Sequence, residues 1–457
     1  MSVPAPSSGA SLTLTAKFRT TEGAWKLAAG GVVLFFLICA VLYSIITPLG
    51  AGQDEYSHLG YVLIVAQHLA LPGHGVYERQ QPPLYYLLAA ILYKLSGSTF
   101  VVRLLSPLFG AATLIVCMRT ARLIFPRRPW LAVLSALLIA IIPQFQWVDA
   151  TITDDPLSYL VAALIALQTV RLILDPAYER PSTRVAVRIG LLAGVALLSK
   201  ETTWVLLAFL YGVGAVRWKL HMRFKQWAAL VGIPAVLAGW WYVRNLMLFH
   251  SLIPSLTPIN NPGHILLHLN SYSDVHGWIT ITFKSFFGYF GPRPTPLQLL
   301  GQSTNIFRAL ELLVVVIVVA CVIMTMNRWT RLSARQKAVI YTFVAMLALS
   351  LLASVVNSMK VDFQPQGRYL YVAITGIAIA TAWTVVGLLR PLPVPLRSAL
   401  VAVACICAIA LDIGGLATMA GPGRTALALP TTASAYSAGS IAEVGSYLPT
   451  PVQPIAT

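Results

Sequence analysis

Charge is what this sequence has least of. Asp, Glu, Lys and Arg together make up 10% of its 457 residues, and only 15 residues are acidic. Soluble domains carry about 25% charged residues, so an ordinary soluble chain is excluded. Cysteine is also sparse. Cys39, Cys117, Cys321, Cys405 and Cys407 all lie within apolar runs, without zinc spacing or the look of a disulfide framework. They read as packing residues. No Walker A sequence occurs, and Gly50-Ala51-Gly52 has no strand–helix context for a dinucleotide fingerprint. The basic loops are too short to hold a soluble nucleotide-binding domain, which argues against a nucleotide sugar used from inside. No clear internal duplication of the transporter kind is present.

What the chain does have is apolar length. It is 57% hydrophobic, with a mean hydropathy of +0.75. Runs long enough to cross a bilayer recur throughout, which predicts an all-α, polytopic helical bundle. A membrane β-barrel would need short alternating segments instead. The net charge of +17 does not indicate nucleic acid. The basic residues fall in short clusters between apolar runs, as the positive-inside rule places them in cytoplasmic loops.

Those clusters set a topology of about 11 spans, with 10 to 13 as the range. Residues 1–25 form a Ser/Thr/Pro-rich cytoplasmic segment carrying Lys17 and Arg19. The apolar run after it is too long for a signal-peptide core of 7–15 residues, so it reads as an uncleaved first span, 26–47. Spans follow at about 99–118, 129–148, 156–174, two within 189–216, then 227–248, 308–326, 338–356, 369–389 and 398–416. This puts Arg119 to Arg128, Arg180 to Arg188, Arg217 to Lys225, Arg328 to Lys337, and Arg390 with Arg397 on the cytoplasmic side. The piece from Pro82 to Leu95 is too short to cross, since a span needs about 20 residues. It reads as an interfacial helix. The predicted units are a transmembrane region 26–417, with a first extracytoplasmic loop 48–98 bearing juxtamembrane helices and a large loop 250–307, then a tail 418–457.

On this topology the rare charges share one side. Asp54-Glu55, Asp154-Asp155, Lys200-Glu201 and Arg368 all stand at outer span ends. Ionisable groups at membrane depth are costly and tend to be functional. Asp54 and His58 are four apart, which would put them on one helix face. A carboxylate here could deprotonate an acceptor hydroxyl or, with Asp154, hold a divalent cation. The plain alternative is a helix N-terminus, which favours acids. Asp149, Asp154 and Asp155 follow span 3, and Asp before Pro156 is also an ordinary N-cap. Lys200-Glu201 is either a self-neutralising hairpin turn or a phosphate site. In Gln366-Gly367-Arg368-Tyr369, Arg is the natural partner of a phosphate, and the Gly permits close approach of a ligand. Gln80 and Gln81 before Pro82-Pro83 could hydrogen-bond a sugar. Tyr85 and Tyr86, like Trp240-Trp241-Tyr242, suit an interfacial aromatic belt. His264 and His268, four apart in the large loop, form a weak metal candidate beside His276, Asp274 and Arg293.

This pattern resembles the GT-C class of integral-membrane glycosyltransferases, in the branch of protein O-mannosyltransferases and lipid A aminoarabinose transferases. The resemblance rests on Asp54-Glu55 after the first span, Gln81-Pro82-Pro83-Leu84-Tyr85-Tyr86, Arg103-Leu104, Asp154-Asp155-Pro156, Lys200-Glu201 and Gln366-Gly367-Arg368-Tyr369-Leu370. It departs from the branch at Gln81, where His or Lys is common, and in having only a short tail in place of a soluble C-terminal domain. The resemblance implies a polyprenyl-phosphate-linked sugar donor and transfer to an extracytoplasmic acceptor, such as a lipid, glycan or protein, usually with inversion. It implies a bacterial inner membrane as the location. Asp54, Glu55, Asp154 and Asp155 become the catalytic candidates. Lys200 and Arg368 would hold the donor phosphate. His58, Gln80, Gln81, Tyr85, Glu201, Gln366 and Tyr369 would line the substrate. No cofactor is certain, and a divalent metal stays an alternative. The rival from another class is a transporter or a lipid-linked-sugar flippase, with the same charges as coupling groups.

Overall fold

The computed structural model describes residues 8–254, 266–288, 304–360 and 363–420, apart from Gly75, Tyr77, Pro181 and Leu220. His264, Arg293 and most of the tail lie outside these. Helices are the only extended regular structure among the described residues. Eight segments are long and apolar enough to cross a membrane: Gly23–Ile46, Thr99–Ile124, Asp155–Leu174, Phe224–Phe249, Thr304–Met326, Ala334–Lys360, Gly367–Leu389 and Val394–Ala417. The protein is an integral membrane helical bundle.

Three of the eleven expected spans are helical but fall short of that measure, each for a local reason. The segment 129–148 is split into α6 (Pro129–Ala140) and α7 (Pro143–Val148). Pro143 cannot donate to the preceding turn and clashes with it, so one helix ends and another begins. The stretch 189–216 folds as α9 (Thr183–Ser199) and α10 (Glu201–Trp218), joined at an extended Lys200. α9 has only 17 residues and carries Arg184 and Arg188 near its start, while α10 carries Glu201 and Arg217 near its ends, which lowers its hydropathy. The first loop holds the two expected short helices, α2 (Glu55–His68) and α3 (Leu84–Ser96).

The centre of the bundle is α5 (Leu105–Ile124) packed along α8 (Asp155–Leu174), with α6 against both α5 and α16 (Ile374–Leu389). Small residues make this possible. Gly110, Ala111 and Thr113 on α5, and Ala162, Ala163 and Ala166 on α8, are buried. Without a hydrophobic drive between helices in lipid, close backbone approach supplies the attraction. Gly190 and Gly194, four apart on α9, meet Ala229 and Leu237 in the same way. At that contact the partner winds as a π-turn, Ala228–Gly232, before α12 (Ile233–Phe249) continues. By contrast α14 (Thr304–Met326) and α17 (Val394–Ala420) leave Leu312, Val315, Val319, Val403 and Ile406 open, the surface lipid would cover.

Two belt assignments change. Tyr85 and Tyr86 are fully buried, not interfacial, and Tyr86 stacks on Tyr61 with ring centroids 3.7 Å apart. Trp241 is buried as well, whereas Trp240 is exposed. Asp149, expected in an outer loop, is buried against Phe36 and Gly110.

Candidate active site

The first loop separates its two adjacent acids completely. Glu55 opens α2 and turns inward, its side chain 0% exposed. Arg103, at the end of α4 (Thr99–Arg103), meets it with Nε to Oε1 and Nη2 to Oε2, both 2.8 Å. The remaining guanidinium N–H groups donate to the carbonyls of Ser44, Thr47 and Pro48. All five donors of Arg103 are thereby used. The carboxylate of Glu55 also accepts from the backbone N–H groups of Gly50, Gly52 and Ile152. A bidentate pair this well satisfied ties the end of α1 (Ser8–Ile46), the first loop and the 149–154 segment together.

Asp54 faces the other way. Its backbone is left-handed (φ 55), a conformation that Asp tolerates better than most residues. Its carboxylate makes no cap hydrogen bond, and its side chain is 45% exposed. Asp54 occupies the N-cap position of α2, where the helix dipole favours an acid, but supplies no side-chain cap. Nor does Asp54 share a helix face with His58, because it stands before the first turn. The His58 ring instead bonds Tyr86 Oη at 2.8 Å through Nδ1 and approaches Thr153 Oγ1 at 3.4 Å through Nε2. Burial, with Lys200 and then Arg368 as positive neighbours, pulls the imidazole down to about 3. It is neutral at pH 7.

Four buried charges converge beside Asp54, from three widely separated parts of the chain. Lys200 Nζ donates to Asp154 Oδ1 at 2.6 Å and to Asp155 Oδ1 at 2.7 Å. Arg368 Nη1 donates to Asp155 Oδ2 at 2.7 Å, and its Nη2 lies 4.0 Å from Asp54 Oδ2. Burial opposes the charged ammonium of Lys200, but the two carboxylates outweigh it and raise its pKa. Asp154 stands at the N-cap of α8 without making a cap bond. Its cap role is thus replaced by the ion pair. Lys200 pairs with these aspartates and not with its neighbour Glu201, which is half-buried and has no ion-pair partner among the described residues.

The position of Arg368 depends on Gly367. The 3-10 turn Gly367–Ala373 leads into α16 and lies against α13 (Tyr272–Phe287). A Cβ at Gly367 would overlap the backbone of Phe286 and the carbonyl of Thr282. The close approach expected of a ligand is made by a helix backbone. Gly367 N–H donates to Ser285 Oγ at 2.7 Å. Gln366 Oε1 accepts from Arg368 Nε at 2.6 Å, and Tyr369 Oη donates to Gln364 Oε1.

The remaining candidates form an outer ring. Tyr85 Oη accepts from Thr153 N–H at 3.1 Å. Gln80 Nε2 donates to Glu78 Oε2 at 3.2 Å, while the Oε1 atoms of Gln80 and Gln81 are buried without a partner among the described residues. Glu78 is a further member of this ring that no sequence motif marks. It is buried, left-handed at φ 64, and its carboxyl is pushed up to about 8 by burial and then by Asp54 and Asp154. Arg103 is marked in the sequence by being an Arg within an apolar segment. No motif marks Asp149 either, and among the described residues neither of its carboxyl oxygens has a hydrogen-bond partner. His268 bonds Asp274 at 3.0 Å on the surface, and His276 stacks on Tyr272.

A divalent metal fits these residues poorly. Asp154 and Asp155 are already neutralised by Lys200 and Arg368. Among the described residues no three His, Cys, Asp or Glu side chains gather as a cage.

With this geometry in view, residues 80–242 match the family model described as dolichyl-phosphate-mannose-protein mannosyltransferase. That segment contains Gln80, Gln81, Arg103, Asp154, Asp155 and Lys200. The chain is also similar to two solved structures. ArnT from Cupriavidus metallidurans, bound to undecaprenyl phosphate, is 17% identical, with a TM-score of 0.49 over 92% of this chain and 70% of that one. The oligosaccharyltransferase of Archaeoglobus fulgidus is 14% identical, with a TM-score of 0.47 over 86% of this chain. The chain spans 56% of the length of that oligosaccharyltransferase and 60% of ArnT in its apo state. No curated protein sequence matches the chain.

Proposed function

We propose that this protein is a glycosyltransferase, moving a sugar from a polyprenyl-phosphate-linked donor to an acceptor hydroxyl or amide on the extracytoplasmic face of a bacterial inner membrane. One observation carries the reading. An exposed carboxylate, Asp54, stands 4.0 Å from a guanidinium that belongs to a buried Lys–Arg–Asp–Asp cluster. Base and phosphate-binding cations are side by side at one end of the bundle. The family match over residues 80–242 points the same way.

For a hydroxyl acceptor, the chemistry follows from these positions. Asp54 takes the acceptor proton as its oxygen attacks the anomeric carbon. The bond from that carbon to the phosphate oxygen breaks, and its electron pair stays on the phosphate. Polyprenyl phosphate leaves with the added negative charge, which Lys200 and Arg368 stabilise. Attack opposite the leaving group inverts the anomeric centre. Gln80, Gln81, Tyr369 and Glu201 are the candidates to line the sugar, and His58 and Tyr85 contact Thr153. Glu55 serves this scheme through position, since its carboxylate is fully engaged by Arg103.

Transfer of a labelled sugar from synthetic polyprenyl phosphate sugars by the purified protein tests the reading. Turnover that Asp54→Asn removes would support it. Full turnover in that variant would sink the role of Asp54. Solute uptake by reconstituted vesicles, without transfer, would favour a transporter.

A further inference from the structure

At the opposite end of the bundle three arginines enclose a cavity of about 250 Å³. Arg128 caps the start of α6, Arg328 follows α14 and Arg390 follows α16; Trp383, Val386 and Gly387 complete the lining. The placement is clear from α16 alone. Arg368 precedes this helix and Arg390 ends it, and 16 residues rise about 24 Å. The carboxylate cluster and the arginine cavity therefore stand at the two membrane faces.

The positive-inside rule explains basic residues at this face, but it does not require three of them to line one cavity. A comparison on the same face sharpens the point. Arg217 and Arg335 are both neutralised by Glu179, at 3.0 and 2.7 Å. Arg128, Arg328 and Arg390 have no acidic partner among the described residues. Arg328 lies over the Trp383 ring, 5.2 Å from its centroid, which orients the guanidinium at interfacial depth. Three forked cations around a small apolar-floored cavity suit a phosphate, which guanidinium groups bind through paired hydrogen bonds. Basic pockets between helices at this membrane face are a known mode of lipid headgroup capture. Val386 and Trp383 supply the apolar side that an acyl chain needs.

We propose that this cavity binds the phosphate headgroup of an anionic phospholipid from the leaflet opposite the carboxylate site. The lipid would bridge α6, α14 and α16 and so brace the end of the helix that carries Arg368 at its other end. The inference rests on the bundle and its charges, independently of the transfer reaction.

Native mass spectrometry from nanodiscs holding equal phosphatidylglycerol and phosphatidylcholine tests it. The test variant is Arg128→Lys with Arg328→Lys and Arg390→Lys, which keeps every positive charge and hence the topology. The control is Arg180→Lys with Arg184→Lys and Arg188→Lys on the same face. The parent protein should retain phosphatidylglycerol preferentially. The test variant should lose about tenfold in that preference, and the control should not. Absence of any preference in the parent, or equal loss in the control, would overturn the proposal. Displacement of the lipid by inorganic phosphate at equal concentration would assign the cavity to a soluble anion and equally overturn the lipid assignment.

Discussion

Glu55 and Arg103 face each other through two parallel hydrogen bonds of 2.8 Å, one residue along the chain from a carboxylate that bonds nothing at its helix cap. Adjacent acids thus separate into a fixed pin and a half-exposed group held only by a 4.0 Å contact with Arg368. Removing one partner of a buried pair leaves an uncompensated charge, at a cost of about 3–5 kcal/mol. Glu55→Gln and Arg103→Met should each lower the unfolding midpoint markedly, as measured by thermal unfolding in detergent.

Asp54→Asn should behave in the opposite way. Asn tolerates the left-handed backbone as Asp does, and the side chain is 45% exposed and makes only a 4.0 Å contact with Arg368, so stability should change by about 0.5 kcal/mol or less. Sugar transfer should fall by about 10²–10⁴ if Asp54 is the general base. Donor binding, followed by fluorescence of a labelled lipid, should stay near normal.

Lys200 offers a test of coupling. Lys200→Met alone strands Asp154 beside Asp155 and should destabilise by about 3–5 kcal/mol. Adding Asp154→Asn removes part of that stranded charge. The double variant should therefore be less damaged than the sum of the singles, by about 1–3 kcal/mol. Unfolding midpoints of the four proteins in the cycle give the number, and simple additivity would contradict the close pairing.

The pH dependence of stability should have two limbs. His58 is depressed from 6.5 to about 3 by burial and then by Lys200 and Arg368. The folded state binds its proton less readily than the unfolded one, so its contribution is present above pH 6.5 and is lost as pH falls toward 3. Between pH 6.5 and 5 this amounts to about 2 kcal/mol. Glu78 is raised from 4.5 to about 8, so its contribution is full below pH 4.5 and is lost as pH rises through 8. Midpoints measured from pH 4 to 9 should fall at both ends. Glu78→Gln should flatten the alkaline limb and leave the acid limb in place.

Gly367→Ala should disturb the site without touching a charge. The added methyl meets the Phe286 backbone, which cannot rotate away. Overpacking of this kind costs about 1–3 kcal/mol. The turn that aims Arg368 must shift, so donor binding should weaken along with transfer, unlike in Asp54→Asn. Lipid titration of the two variants separates these outcomes.

The sequence carried the bundle well, because apolar runs and basic clusters follow the bilayer directly. Lys200 stands out as the interruption of an apolar stretch, and Arg368 as a charge at the outer end of a span, where charge is expensive. The sequence could not distinguish Asp54 from Glu55, since that depends on a left-handed backbone at one residue and on an Arg 48 positions away. Tyr85 and Tyr86 were misplaced for a related reason. A tyrosine pair has the same composition whether it faces headgroups or a buried histidine. Asp149 and Glu78 looked like loop charges because burial is a tertiary property.

The four buried charges of the cluster sum to zero before any ligand arrives. A lipid phosphate entering here would find no unopposed cation. It would have to share donors that Asp154 and Asp155 already hold at 2.6 and 2.7 Å. Its residence time would then be set by exchange against internal carboxylates, and the same carboxylates could take the cations back once the sugar has gone. On the proposed role, a site built this way would favour rapid replacement of the spent carrier over tight storage of the loaded one.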